Sequence, residues 1–280
     1  MKTILVPADF SVHARNAMRY AIKLAEALQA DLIFFHCTNV PVSRKLLGIS
    51  QSEMKKLVNR DMTRKILMLH KEVNKVYDQL NLKKELIGTR VIVKSGILIV
   101  EEILDEAKKN KVDLIVTGTH GASGTEKLFG SNTSNLISKS NIPILAIPKK
   151  YRYKTIEKIV YASDLRNTLV EIKRIIPLAR TFGATVDVLN LSYAETSEPE
   201  NFFKNLVTLV NYPNLRLIQL KRNLNKTVLL QLREYVDHYR PGLLVMFPAE
   251  RKVLEKIFKG SKTEKLSYNL IMPLLSIKKK

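Results

Sequence analysis

The sequence has almost no cysteine. Cys37 is the only one in 280 residues, so no disulfide can close within the chain and a zinc site of four cysteines is excluded. Such a chain suits a reducing compartment. Tryptophan is missing altogether, and ten glycines with ten prolines are too few for a collagenous or low-complexity chain. No run approaches the roughly 18 consecutive apolar residues that would span a bilayer. The amino end passes from Met1-Lys2-Thr3 straight into Ile4-Leu5-Val6-Pro7-Ala8-Asp9, without the longer apolar core and small-residue cleavage site of a secretory signal. A cytoplasmic protein with no membrane partner is expected. Zinc-finger spacing, a basic zipper and RNA-binding sheet motifs are also missing, so no specific nucleic-acid recognition is expected. Acidic residues are scarce, 26 against 47 basic, which gives a formal charge of +21. Residues 1–150 carry 24 basic and 14 acidic side chains and residues 151–280 carry 23 and 12, so the excess is spread evenly. Only Lys278-Lys279-Lys280 forms a basic run, at a terminus where chains commonly fray. The charge favours acidic partners and says nothing about fold.

What is there is apolar residue, 45% of the chain, enough at this length for two packed cores. Residues 3–8 form a short apolar run that ends in a turn. Ser11 then stands as a helix cap before Ala14, Ala17, Met18, Ala21, Ile22, Ala25 and Leu28 at three-to-four spacing, which predicts strand followed by helix. A second strand is expected at 32–37, then a long charged helix or a broken pair of helices over 51–80. Its packed stripe would be Met54, Leu57, Val58, Met62, Ile66, Leu69, Val73 and Val76. A third strand at 86–93, a helix over 97–109, a fourth strand at 112–117, a helix over 132–139 and a fifth strand at 142–147 complete the unit. Continuous apolar strands alternating with amphipathic helices predict an α/β fold with a parallel sheet covered on both faces. A site in such a sheet lies beyond the carboxyl ends of its strands, where Asp9, Cys37 and Gly118 all fall.

The second half repeats this plan. Ile159-Val160-Tyr161-Ala162-Ser163-Asp164 echoes Ile4 to Asp9 at an offset of 155, and Gly260-Ser261 with Ile271-Met272-Pro273 echoes Gly130-Ser131 with Asn141-Ile142-Pro143 at an offset of 130. The region between the second and third strands, about 192–215, is the shorter one in the second copy. Two domains are expected, 1–150 and 151–280, with Tyr151-Arg152-Tyr153-Lys154 as the hinge or junction.

Four of the ten glycines collect in the stretch from Gly118 to Thr133. Glycine permits close approach of a ligand, and successive backbone amides there can cradle phosphates, helped by the amino end of a following helix capped by Ser131 or Asn132. A surface loop with a helix cap is the alternative reading of the same residues. No Gly-Lys-Ser/Thr follows the glycines, so this is not a Walker A loop, and it follows the fourth strand, unlike a dinucleotide fingerprint. His13, His36, His70, His120 and His238 show no zinc spacing, and no nucleophile pairs with a base. His36 reads as a structural histidine within a strand and Cys37 as a small buried side chain.

The order Gly118, two residues, Gly121, eight residues, Gly130, then Ser131 resembles the universal stress protein family, whose pattern has nine residues between the second and third elements. Both halves resemble its domains and the whole is similar to a tandem member. The resemblance implies two tandem Rossmann-like domains of the adenine nucleotide alpha-hydrolase type, each with a five-stranded parallel sheet flanked by helices. It also implies an adenine nucleotide, ATP or another, with or without Mg, in the first domain. Pro7, Ala8 and Asp9 would meet its ribose or adenine end, Cys37 would line the adenine pocket, Thr117 lies just before the phosphate loop, and Gly118, Gly121, Gly130, Ser131 and Asn132 would surround the phosphates. In the second domain Phe247 and Glu250 replace the first two glycines ahead of Gly260-Ser261, which makes it a degenerate partner. The expected role is stress response through nucleotide-dependent conformational or protein-interaction effects. A nucleotide-independent scaffold and a weak ATP hydrolase are the other readings, the last without a nameable base or metal-binding carboxylate pair. Family habit implies intramolecular pairing of the domains through 142–147 and 271–277, with a homodimer or an unidentified protein as further partners.

Overall fold

The computed structural model describes residues 1–39, 50–84, 87–119, 131–192, 198–248 and 271–279. The chain divides into two compact units, Met1–Tyr153 and Lys154–Lys280. In the first, β1 (Thr3–Pro7), α1 (Val12–Leu28), β2 (Asp31–Asn39), α2 (Gln51–Gln79), β3 (Thr89–Gly96), α3 (Ile99–Lys109), β4 (Leu114–Gly118), α4 (Ser131–Lys139) and β5 (Ile144–Ile147) alternate along the chain. The strands lie in the order β3-β2-β1-β4-β5, and neighbours pair in parallel. The order reverses between β1 and β4.

Ser11 starts α1 as its sequence position predicts: its hydroxyl oxygen accepts from the Ala14 N–H at 3.1 Å. The small residues Ala14, Ala17, Ala21 and Ala25 are buried along the helix. Helix α2 is continuous over 29 residues, opened by a capping box between Ser50 and Glu53. Its expected stripe is buried only from Leu69 onward, at Leu69, Val73 and Val76, whereas Leu57 is 50% exposed. Periodicity told which side of the helix is apolar, not how far the core beneath it extends.

Strand β3 sits three residues later than expected, because the ladder with β2 continues through Cys37↔Lys94, Thr38↔Ser95 and Asn39↔Gly96. Lys94 is tolerated there by an ion pair with the buried carboxylate of Glu106. Leu86 lies outside the described residues. Helix α3 begins at Ile99, leaving Ile97 and Leu98 exposed before it. Strand β5 begins at Ile144: the Ile142 N–H donates to Ser140 Oγ at 2.9 Å, and Pro143 has no N–H to give.

The expected hinge is partly fastened to the first unit. Asn16 Nδ2 donates to the carbonyls of Pro148 (2.9 Å) and Tyr151 (3.0 Å), and the Tyr151 and Tyr153 rings lie 6.2 and 5.1 Å from that of buried Tyr20. Burial pushes the Tyr20 phenol far up, so the ring stays neutral.

The second unit repeats the alternation as β6 (Lys158–Ser163), α5 (Thr168–Phe182), β7 (Thr185–Ser192), α6 (Glu198–Val210), β8 (Leu215–Lys221), α7 (Val228–Tyr239), β9 (Leu243–Met246) and β10 (Leu274–Ser276). Its strands run β10-β9-β6-β7-β8, again parallel. The shorter second copy is visible in α6, 13 residues where α2 has 29. Among the described residues no helix is long and apolar enough to cross a membrane.

Candidate functional site in the first unit

A cavity of about 380 Å³ opens beyond the carboxyl ends of β1 and β4, where the strand order reverses. Open parallel sheets place ligands at such a reversal. Pro7, Ala8, Asp9, Cys37, Thr117, Gly118 and Asn132 all line it, although they come from distant parts of the chain. Ser131 begins α4, and Gly121 and Gly130 lie outside the described residues.

The β1 end is a tight turn. Phe35 O accepts from the Ala8 N–H at 2.8 Å, and Asp9 Oδ1 accepts from the Ser11 N–H at 3.0 Å. Phe10 takes a left-handed φ of 63° between them. Asp9 is therefore fixed at the mouth with its carboxylate exposed, suited to accept from a ligand hydroxyl. His36 Nδ1 lies 2.6 Å from Ala8 O; since a carbonyl only accepts, the ring carries its proton on Nδ1 and a lone pair on Nε2. Burial holds the imidazole below its ordinary value; the Ala8 hydrogen bond opposes this and the charge of Lys65 adds to it. Lys65 Nζ itself lies 5.3 Å from the centre of the Phe10 ring.

The opposite wall comes from β4 and the amino end of α4. Thr133 Oγ1 donates to Gly118 O at 3.1 Å and lies 3.3 Å from Thr117 Oγ1, which pins the helix start to the strand end. A helix start supplies unpaired N–H groups and positive potential. Gly118 has a specific reason to be glycine: a Cβ there would stand 2.4 Å from His13 O in the first turn of α1. The close approach is to a helix backbone, a structural demand separate from any ligand. Cys37 is half-buried, and burial together with the charge of Glu102 pushes its thiol up, which disfavours the thiolate. Among the described residues no three His, Cys, Asp or Glu side chains converge as a metal site.

Sequence reasoning missed other lining residues, chiefly His13, His36, Thr133 and Leu136. Asn132, Thr133 and Leu136 share one face of α4 at one-turn spacing, a signal that becomes readable once the helix is known to start at the strand end. His36 is both the satisfied structural histidine expected and a wall of the cavity.

The second unit has the same frame and a different filling. The register pairs Ile4↔Leu114 and Ile159↔Leu243 place Phe247 where Gly118 stands. Asp164 Oδ1 accepts from the Arg166 N–H at 3.0 Å, and Leu165 has a φ of 62°. Phe247 is buried, edge-on to Tyr161 at 5.6 Å, with the Arg174 guanidinium 5.5 Å from its ring. The Tyr161 hydroxyl donates to buried Glu171, and Ser163 Oγ donates to the Tyr161 oxygen at 3.0 Å. Lys279 Nζ lies 3.2 Å from Asp164 Oδ2 and 3.4 Å from Glu171 Oε1. Burial works against the charge on Asp164, but the Arg166 N–H and Lys279 outweigh it and hold the carboxyl below its ordinary value. Glu250, Gly260 and Ser261 lie outside the described residues.

The model of the family described as "Universal stress protein family" matches residues 1–148. The chain belongs to the universal stress protein family. Universal stress protein MJ0577 of Methanocaldococcus jannaschii is 32% identical over 160 residues, which cover 53% of this chain and 96% of that protein. MJ0531 of the same organism is 28% identical over 149 residues, 53% of this chain and 82% of its own length. A universal stress protein structure from Archaeoglobus fulgidus aligns with 99% of this chain and 98% of its own at a TM-score of 0.68, with 14% identity, so the likeness of the whole chain is one of fold. This universal stress protein is a tandem, two-domain member, and the family assigns it a general role in stress response.

Proposed function

We propose that the first unit binds an adenine nucleotide, ATP or a relative of it, in the cavity between β1 and β4, and that occupancy alters the surface offered to a partner protein. The observation that carries this reading is the cavity's position at the reversal of strand order, with a fixed carboxylate at one side and a helix start at the other. Asp9 would accept from ribose or base, Cys37 and Phe35 would flank the base, and Asn132 with the backbone at Gly118 would face the phosphates. The volume lies within the range usual for small-molecule sites. Among the described residues no side chains form a metal cage, so Mg would arrive on the phosphates and keep water in its shell. Bound nucleotide supplies negative charge and hydrogen-bonding groups; the chain supplies orientation.

The test is purification without added nucleotide, analysis of what co-purifies, and calorimetric titration with ATP, ADP and AMP with and without Mg. Binding is expected, weakened about tenfold or more by Asn132→Asp, which sets a like charge against the phosphates. Absence of binding by all three nucleotides overturns the reading. For the second unit the filled frame around Phe247 favours the scaffold role, with the two units serving as each other's partner. Sedimentation at rising concentration tests this: a monomer mass supports internal pairing, and a homodimer would add a second copy as a further partner.

A further inference from the structure

We propose that the outward face of α2 docks the phosphodiester backbone of a nucleic acid without reading its bases. Lys56, Arg60, Arg64, Lys71 and Lys75 are all exposed. At the pitch of an α-helix they fall within an arc of about 100° and along about 28 Å of the axis. Lys84 Nζ, donating to Asn74 Oδ1 at 3.3 Å, extends the line past the helix.

The acids of α2 are mostly directed elsewhere. Asp61 accepts from the Thr38 hydroxyl at 2.7 Å, Glu72 pairs with Arg15, and Glu53 closes the cap with Ser50. Asp78, at the far end, is the exposed acid left on this face. None of the five cations has a carboxylate within ion-pair distance among the described residues. Ordinary exposed helices place Glu or Asp one turn from Lys or Arg; here Lys56, Arg60 and Arg64, and again Lys71 and Lys75, are one-turn neighbours of like charge, which works against the helix. A partner with regular negative charge relieves that repulsion.

The same face argues for phosphodiester over an anionic bilayer. An interfacial helix needs a broad apolar side to insert, and the apolar side of α2, at Leu69, Val73 and Val76, is buried in its own unit. The outer face offers Leu57, Leu67 and Met68 singly. Phe and Trp are missing from α2, its Tyr77 is buried, and His70 is its one exposed ring, so base stacking has no continuous platform and the binding is independent of sequence. This gives part of the unexplained +21 an occupation.

Fluorescence anisotropy with a labelled random-sequence DNA duplex tests the proposal on the full chain. Affinity should fall with salt at a slope of roughly −4 in log K against log salt. The pair Arg60→Gln with Arg64→Gln should weaken binding about tenfold and flatten the slope by about 2. The exposed pair Lys204→Gln with Arg216→Gln, which removes equal charge from the second unit, should leave both nearly unchanged. Circular dichroism melting verifies that each variant folds. Equal losses from both pairs, no binding at low salt, or loss of binding to phosphatidylserine vesicles with DNA binding intact would each overturn the assignment.

Discussion

In the first unit the turn from Asp9 to Ser11 opens on a cavity; in the second, the turn from Asp164 to Arg166, with the same hydrogen bond and the same left-handed central residue, is occupied by Lys279 and backed by Phe247. The correspondence extends further. His36 and Asn190 hold equivalent positions on β2 and β7 and donate to equivalent carbonyls, Ala8 and Ser163, at 2.6 and 3.0 Å. The turn is maintained by short-range backbone and side-chain hydrogen bonds that either unit can satisfy with different residues. The two units part at the end of the fourth strand, where the first has Gly118 beside a cavity and the second has the buried ring of Phe247.

The contrast can be broken most severely at Phe247. Phe247→Ala removes a buried ring from Tyr161 and Arg174 and should cost about 4 kcal/mol, read as a fall in the urea midpoint of unfolding. Next is Lys279→Ala, which takes the ammonium from the buried Glu171 carboxylate and leaves it the Tyr161 hydroxyl and the more distant charge of Arg174. About 3 kcal/mol is expected, at the low end for a broken buried pair because Lys279 is 16% exposed. The double variant Lys279→Ala with Glu171→Gln should recover part of this, and no recovery would show that the pair does not act as a unit.

Gly118→Ala probes the opposite side of the comparison. The added methyl meets His13 O, and about 2 kcal/mol should be lost even without nucleotide. An unchanged midpoint would mean that α1 moves away at little cost.

The smallest effect is at His36. Its folded-state value is lowered, so below the unfolded value near about 6.5 the unfolded chain binds a proton that the folded chain refuses. The contribution of the neutral ring is thus present above that pH and declines as pH falls toward the lowered value. His36→Asn, which copies Asn190, should keep the hydrogen bond and remove this share of the pH dependence in urea titrations.

Strand and helix alternation was legible because apolar runs and three-to-four spacing are written in residue type, and Ser11 announced its helix through cap chemistry. Asp9, Cys37 and Gly118 were legible as site candidates because a parallel sheet brings strand ends together. What stayed hidden depends on partners far along the chain. Lys94 falls beyond the expected end of its strand until Glu106 is seen to pair with it, and the burial of α2 from Leu69 onward depends on where its sheet stops. His13 shapes the site through its carbonyl oxygen, an atom every residue has, so no pattern of side chains could mark it.

One pair of positions carries a consequence for handling the protein. Asn16 in α1 and Glu171 in α5 stand at equivalent points and each grips the chain that follows the last strand of its unit, the first by donating to the Pro148 and Tyr151 carbonyls, the second by receiving the Lys279 ammonium. The first grip uses backbone oxygens that survive any change of side chain downstream; the second depends on one lysine in a run that reads as a loose tail. A protease that cuts ahead of Lys279 removes an internal counter-ion from the second unit, so preparations clipped there should be treated as altered protein.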